Sequence, residues 1–316
     1  MNIETIGFIG LGNVGEKLAK NLLKYNSNIL LFDKNKKTYS KFKSTSFCFC
    51  KNLKELADKS NIIITCLPSP KSVNNVIKSL IPYINKKHLW IEMSTTDKNE
   101  IIRLSKIFIN KGGKVLESPI TGGEHRAKSG NISILAAGKR KNFERAFPIL
   151  SCMGHKILYC GKLGNASILK IITNYLASLN LIGIGEALAV AKKNKINLGL
   201  TQKAIEISSG NSFVNETETK VILSGTYNVG FTMDLVNKDM YLFTKLAKEH
   251  NIPVDLGRII NKKFKVGINR LGRRSFSTSI VKLLEKECNI KFRAKHFPKY
   301  LIDNQKKQKG IEIIEL

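Results

Sequence analysis

A glycine-rich hexapeptide near the start of the chain limits the possible folds more than any other feature. It consists of Gly10, Leu11, Gly12, Asn13, Val14 and Gly15. An apolar run that predicts a strand, Thr5–Ile9, precedes it, and a stretch that predicts a helix, Val14–Leu23, follows it. In this context Gly10 would permit a tight turn, Gly12 would let a pyrophosphate approach the backbone, and Gly15 would let helix and strand pack closely. The motif therefore predicts a dinucleotide site with the phosphates at the helix N-terminus.

An acidic residue follows the next predicted strand, Ile29–Phe32. This residue, Asp33, lies at about the 20-residue spacing that dinucleotide sites use. Its carboxylate would accept hydrogen bonds from ribose hydroxyls and repel a 2′-phosphate, which favours NAD. Lys34, Lys36 and Lys37 come directly after it, and their positive charges could accommodate that phosphate. The sequence therefore predicts NAD as the cofactor and leaves NADP open.

The first half of the chain alternates short apolar runs with helical patterns, which is typical of βαβ units and a parallel sheet. Strands are predicted at Thr5–Ile9, Ile29–Phe32, Ile62–Leu67, Leu89–Met93, Lys114–Glu117, Ile132–Ala136 and Lys156–Cys160. After Gly164 the pattern becomes helical, beginning with one long segment, Ala166–Lys192. The predicted fold is an α/β Rossmann-type doubly wound parallel sheet followed by a mostly α-helical C-terminal domain. We expect domains at 1–163 and 164–290, with 291–316 as a loosely held basic tail.

Two loops that follow predicted strands are candidates to line the cofactor site. Leu67 and Pro68 lie at the end of one strand, and Thr95 follows another. Ligands of open parallel sheets bind beyond the carboxyl ends of the strands, so we expect these residues to contact the cofactor. Thr95 could equally cap the helix that follows.

The formal net charge of +29 raises nucleic acid or an anionic membrane as a partner. The basic residues, however, are spread along the whole chain rather than grouped in one stripe, so we expect no nucleic-acid partner. The longest apolar run, Ala177–Ala191, is interrupted by Asn180 and Glu186, so we expect no membrane span. The six cysteines lack C-x-x-C spacing, which predicts free thiols in the cytoplasm and no metal site.

Four ordered motifs resemble those of the β-hydroxyacid dehydrogenases, the group that includes 3-hydroxyisobutyrate dehydrogenase. The first is the glycine hexapeptide, and the second is the segment from Glu117 to Gly123, ESPITGG. The third motif contains Gly161, Gly164, Lys170 and Asn174, and the fourth is the pair Lys238-Asp239. The resemblance runs from about Ile3 to about Lys286, which is nearly the whole chain. It implies oxidation of a small 3-hydroxy acid to its semialdehyde or oxo acid, or the reverse reduction, with NAD or NADP.

The resemblance also implies roles for individual residues. Lys170 would exchange a proton with the substrate oxygen, and Asn174, on the same helix face, would orient the substrate. Apolar neighbours of Lys170 would lower the pKa of its amine towards neutrality. Thr121, Gly122 and Gly123 would bind the acid group of the substrate. Lys238 would reach the cofactor near its nicotinamide end, and Asp239 would fix the local geometry.

Several points depart from this pattern or stay open. Glu117 replaces the usual aspartate, and Ala166 replaces a usual glycine, but neither change removes a reacting group. A phosphogluconate-type dehydrogenase is the nearest alternative enzyme, although Thr173 replaces the histidine that those relatives carry. A non-catalytic binding module with the same fold is a further alternative. His125-Arg126 could bind a second acid group or lie in solvent.

The long helical segment predicts an oligomer. Apolar residues cover too much of Ala166–Lys192 for a helix surrounded by solvent. We therefore expect it to be buried partly against a second subunit, in a homodimer or homotetramer.

Overall fold

The computed structural model describes residues 4–24, 28–42 and 47–314. The chain divides into two compact units: Met1–Lys170 together with Asp303–Leu316, and Ile171–Ile302. The division therefore falls inside the long helix, whereas we had expected a boundary near Leu163.

The first unit is built on one mixed sheet. Its strands are β1 (Ile6–Ile9), β2 (Ile29–Phe32), β3 (Cys48–Phe49), β4 (Ile62–Thr65), β5 (Leu89–Glu92), β6 (Lys114–Glu117), β7 (Ile120–Thr121), β8 (Ile132–Gly138), β9 (Gly154–Tyr159) and β10 (Ile311–Ile313). Their order is β10-β9-β8-β6-β5-β4-β1-β2-β3, with β7 beside β8. The run from β3 to β6 is parallel throughout and has the strand order 3-2-1-4-5-6 of dinucleotide-binding domains. The antiparallel pairing of β6 with β8 ends this parallel part.

Helices cover both faces of this sheet. They are α1 (Asn13–Asn21), α2 (Leu53–Lys59), α3 (Pro70–Leu80), α4 (Lys98–Asn110), α5 (Gly123–Ser129), α6 (Arg140–Met153) and the first turns of α7 (Asn165–Lys193). Alternate residues of one strand enter two different apolar clusters: Ile62 and Ile64 pack in one, and Ile63 packs in the other. All three are fully buried. This two-sided burial explains the unbroken apolar run in the sequence, and it confirms the predicted Rossmann-type fold.

The second unit is helical, as predicted. It contains the rest of α7, then α8 (Leu198–Glu206), α9 (Phe213–Glu216), α10 (Glu218–Ser224), α11 (Met233–Glu249), α12 (Asp255–Leu271) and α13 (Val281–Glu287). The sequence did not predict α12, which contains Gly257 and Gly267. A Cβ atom at Gly267 would come within 2.6 Å of Ile280, so this glycine permits close packing rather than ending the helix.

Helix α7 is 29 residues long, and by length and composition alone it could cross a membrane. The mean hydropathy of its most apolar window is 1.4, and 33% of that window is buried. The helix continues through Asn180 and Glu186, as the predicted long helical segment requires, and these two residues interrupt only its apolar run. Core helices of soluble proteins meet the same criterion, so this finding is weak evidence for a membrane span.

The predicted loose tail is wrong for the part of the C-terminus that the structure describes. Phe292 is fully buried in the second unit. Further on, β10 pairs in parallel with β9 in the first unit. The Lys307 ammonium donates to the backbone carbonyls of Gly130, Ser151 and Gly154. The segment is polar because hydrogen bonds and strand pairing, rather than apolar burial, hold it on the sheet. Residues 315–316 of the predicted tail lie outside the described part.

Candidate active site

The glycine turn has the geometry that its sequence predicts. Gly10 has a φ of +99°, and a Cβ there would come within 2.3 Å of the Cys66 carbonyl oxygen. A Cβ at Gly15 would lie 2.0 Å from the Gly10 carbonyl oxygen, so helix and turn touch. Gly12 differs, because a Cβ there would meet nothing within 4 Å. No side chain caps the N-terminus of α1, which begins after Gly12. Open space in front of an uncapped helix N-terminus fits a pyrophosphate.

Asp33 lies directly beside this turn. The Leu11 N–H donates to Asp33 Oδ2 over 2.7 Å, and the Asn35 N–H donates to Asp33 Oδ1 over 2.7 Å. These bonds fix the carboxylate at the end of β2, where an adenine ribose would lie next to a bound pyrophosphate. Lys34, Lys36 and Lys37 are exposed. The structure therefore has both features behind the predicted cofactor preference: the carboxylate of Asp33 beside the turn, and exposed lysines directly after it.

The two candidate loops lie at the carboxyl ends of neighbouring strands. The Leu67 N–H donates to Ser94 Oγ over 2.7 Å, and the Ser94 N–H donates to Glu92 Oε1 over 2.6 Å. Pro68 is exposed and Thr95 is half-buried. Thr95 does not cap α4, since the Asp97 side chain accepts the N–H groups at its start. The alternative role that the sequence left open for Thr95 is therefore wrong.

The predicted substrate segment ends strand β7. Thr121 pairs with Ser133 of β8, and Gly122 and Gly123 have φ values of +121° and +86°, which favour glycine. A Cβ at Gly123 would lie 3.1 Å from His125 Cε1, so the His125 ring lies against this turn. Burial, and then the charge of Arg126, lower the pKa of His125.

Glu117 has a role that the sequence did not reveal. Its side chain is fully buried and accepts four hydrogen bonds from the start of α7. The donors are the N–H groups of Gly164 (2.5 Å), Ala166 (3.2 Å) and Ser167 (3.2 Å) and the hydroxyl of Ser167 (2.5 Å). Burial raises the pKa of Glu117, and these four bonds act against that increase. The carboxylate therefore fixes the first turn of the helix that carries Lys170.

Lys170 is only 7% exposed. Not all of its apolar neighbours in the sequence are buried with it. Ile171 is buried, but Leu169 and Ile172 are 37% and 39% exposed. Asn174 lies one turn further along α7, on the same face as Lys170. The helix thus holds an amine and an amide close together.

In the second unit, the predicted Lys-Asp pair is bonded to Asn174. Asn174 Nδ2 donates to Asp239 Oδ2 over 2.6 Å, and Lys238 Nζ lies 3.0 Å from Asp239 Oδ1. Asp239 is 2% exposed. One buried carboxylate therefore positions both Asn174 and Lys238. The sequence indicated the Lys-Asp pair as a motif, but only the fold shows that Asp239 bonds to Asn174.

Comparisons with known proteins agree with this arrangement. Residues 5–161 match the NAD binding domain of 6-phosphogluconate dehydrogenase, and residues 164–284 match the NAD-binding domain of NADP-dependent 3-hydroxyisobutyrate dehydrogenase. The mitochondrial 3-hydroxyisobutyrate dehydrogenase of Rattus norvegicus is 30% identical over 295 residues, with 89% of this chain and 88% of the relative covered. The chain belongs to the β-hydroxyacid dehydrogenase family.

Two further relatives extend the comparison within this family. The 2-(hydroxymethyl)glutarate dehydrogenase of Eubacterium barkeri is 30% identical, with 90% of this chain and 96% of the relative covered. A solved 3-hydroxyisobutyrate dehydrogenase of Mycobacterium tuberculosis superposes with a TM-score of 0.81 at 22% identity, over 89% of this chain and 99% of that one. The cofactor of this β-hydroxyacid dehydrogenase is NAD or NADP, and the open space at Gly12 fits its pyrophosphate.

Proposed function

We propose that the chain oxidises a small 3-hydroxy acid resembling 3-hydroxyisobutyrate, or reduces the corresponding semialdehyde or oxo acid, with Lys170 as general acid/base. The observation that carries the proposal is the burial of Lys170 on a helix whose first turn Glu117 holds with four hydrogen bonds. The names of the rat and Eubacterium relatives support a small hydroxy acid as the substrate class.

Each residue would then have a defined task. Lys170 would accept the hydroxyl proton during oxidation and donate it during reduction. The Thr121 hydroxyl and the backbone of Gly122 would bind the acid group, and Asn174 would orient the reacting carbon. When bound, nicotinamide supplies the hydride acceptor or donor. Lys238 stays a predicted cofactor contact, based on the resemblance.

Replacing Lys170 tests the proposal directly. Lys170→Ala should lower kcat for 3-hydroxyisobutyrate oxidation by about 10²–10⁴-fold, the usual contribution of a general acid/base, while the Kd for NADH changes little. Lys192→Ala, an exposed residue of the same helix, is the matched control and should keep full activity. A screen of small 3-hydroxy acids with NAD and NADP would identify the substrate. Wild-type kcat in Lys170→Ala would rule out the assigned role.

We also propose that α7 packs against a second copy of the chain. Leu176 and Val190 are 47% and 65% exposed, and Gly183 lies between them at seven-residue spacing. Residues seven apart lie on one side of a helix, so these positions form an apolar stripe. Leu176→Glu should convert an oligomer to monomers in sedimentation experiments. An unchanged sedimentation coefficient would contradict this packing.

For the location in the cell we propose the cytoplasm, since the spacing of the six cysteines does not suggest a disulfide framework, as expected of a reducing compartment. The rat relative is named as a mitochondrial protein. Cell fractionation followed by immunoblotting tests the proposal, and recovery of the chain in an organelle would overturn it.

A further inference from the structure

A cavity of about 560 Å³ lies on the first unit, and neither the glycine turn nor Lys170 is among its lining residues. Residues of α5, β8, β9 and the C-terminal segment 303–314 line it. The family matches end at residue 284, so the wall formed by the C-terminal segment lies outside them. The cavity is within the size range of pockets that bind small molecules, roughly 300–1,000 Å³.

The lining of this cavity is cationic. Arg126, Lys156 and Lys306 come from three different parts of the chain and converge there. His155 adds an imidazole ring, whose Nδ1 lies 2.9 Å from the Lys309 carbonyl oxygen. Because a carbonyl only accepts, His155 Nδ1 carries the hydrogen. Of the other lining side chains, Ser133 and Gln305 can donate hydrogen bonds to a ligand, whereas the amides of Asn131 and Gln308 donate within the wall. None of the lining residues is acidic.

The wall is held in place by specific bonds, centred on the 5% exposed Asn131. Asn131 Nδ2 lies within hydrogen-bond distance of Asp303 Oδ2 (3.0 Å) and of the backbone carbonyls of Gln305 (3.3 Å) and Lys306 (3.2 Å). Asn131 Oδ1 accepts the Gln308 N–H over 2.8 Å. The lining is therefore built into the fold before any ligand binds.

Asp303 is an acidic residue that acts on Arg126. Its carboxylate accepts from the Ser129 hydroxyl over 2.6 Å as well as from Asn131, and it attracts the Arg126 charge. It does not line the cavity. Asp303 therefore offsets part of one positive charge, and the charges of Lys156 and Lys306 still face the cavity with that of Arg126.

We propose that this cavity binds a small molecule bearing two or more negative phosphate oxygens, such as a phosphate ester or a diphosphate. Three converging cations match such a group better than a single carboxylate, because a phosphate carries close to two charges at neutral pH. The proposal does not rest on the dehydrogenase reaction, although one lining residue, Arg126, packs against Gly122 of the predicted substrate segment.

Calorimetric titration with inorganic pyrophosphate tests the site. The protein is first saturated with NADH so that the glycine turn is occupied, and a low-salt buffer limits screening. Wild type should bind pyrophosphate saturably at one site. Lys156→Ala/Lys306→Ala should bind it at least about tenfold more weakly, the effect of losing roughly 1.4 kcal/mol. Both side chains are exposed, and Lys306 holds the segment through its backbone carbonyl, so the fold should survive.

A second double variant distinguishes binding in this cavity from attraction of pyrophosphate to the general positive charge of the chain. Lys192→Ala/Lys193→Ala removes the same charge from the end of α7 and should bind pyrophosphate as wild type does. Equal affinity of the two double variants would overturn the proposal, and so would the absence of saturable binding to wild type.

Discussion

Two helices of the first unit begin in opposite ways. Helix α1 starts after Gly12 without a side-chain cap, and the space before it is open. Helix α7 starts against the buried carboxylate of Glu117, which occupies three N–H groups and a hydroxyl. An uncapped N-terminus can accept the negative charge of a ligand, whereas a capped one can only fix a position. We therefore propose that α1 binds the cofactor and that the start of α7 sets the position of Lys170.

Capping α1 with a carboxylate should remove the difference between the two helices and have the largest effect. A Cβ at Gly12 would meet nothing within 4 Å, so Gly12→Asp should be tolerated and would present an acid to the helix N-terminus. We expect the Kd for NADH to rise by about 10³-fold because carboxylate and pyrophosphate would compete for the same N–H groups and repel each other. Gly12→Ala is the control for bulk alone. Fluorescence titration with NADH measures both, and similar affinities for the two variants would refute the charge argument.

Weakening the cap of α7 should have the converse effect. Glu117→Gln keeps the size of the side chain but loses acceptor capacity, so the first turn of α7 should shift. We expect kcat to fall by about 10²-fold, which a displacement near 1 Å can cause, with little change in the Kd for NADH. Ser167→Ala removes one of the four donors and should lower kcat less. A larger loss of NADH affinity than of kcat would show that Glu117 does not act through Lys170.

The carboxylate beside Glu117 offers a comparison within the same sheet. Glu92 is its register partner on β5, is fully buried, and contacts the Thr65 hydroxyl rather than a helix. Burial raises the pKa of Glu92 to about 7. Because the folded state holds this proton more tightly than the unfolded state, the stabilisation is present at acidic pH and is lost as pH rises through about 7.

The direction of this change in stability with pH can be measured. Between about pH 4.5 and 7.5, the free energy of unfolding of wild type should fall by about 2 kcal/mol more than that of Glu92→Gln. Urea denaturation at a series of pH values measures the difference. Parallel curves for the two proteins would mean that Glu92 is already ionised at acidic pH.

The smallest effect is expected for Asp33, which lies beside the uncapped N-terminus of α1. Asp33→Ala removes the carboxylate that the Leu11 N–H holds beside the turn. The ratio of kcat/KM for NAD to that for NADP should fall by about tenfold, since the repulsion of a 2′-phosphate is lost. Steady-state kinetics with both cofactors measures the ratio, and an unchanged ratio would assign the preference elsewhere.

The sequence predicted the strand, glycine turn and helix at the start of α1 because the determinants of this geometry are local. The glycine spacing, the strand before it and the acidic residue after the next strand lie within one βαβ unit. Strand β2 and strand β6 were predicted at their observed bounds. The fold class followed from the alternation of apolar runs and helical patterns.

The cap of α7 could not be predicted in the same way. Glu117 and Ser167 are 50 residues apart, and only the packing of β6 against the start of α7 brings them together. The link from Asn174 to Asp239 spans 65 residues, and that from Asn131 to Asp303 spans 172. Such contacts have no periodic pattern in the sequence. For the same reason a basic, polar C-terminal segment suggested a loose tail although it forms an edge strand.

That edge strand makes the first unit discontinuous along the chain. Strand β10 follows the whole helical unit along the chain. A nascent chain therefore carries β9 with one side unpaired while the helical unit is being synthesised, and an unpaired strand edge is prone to association with other chains. Completion of the nucleotide-binding sheet is in this way postponed until the helical unit has emerged from the ribosome.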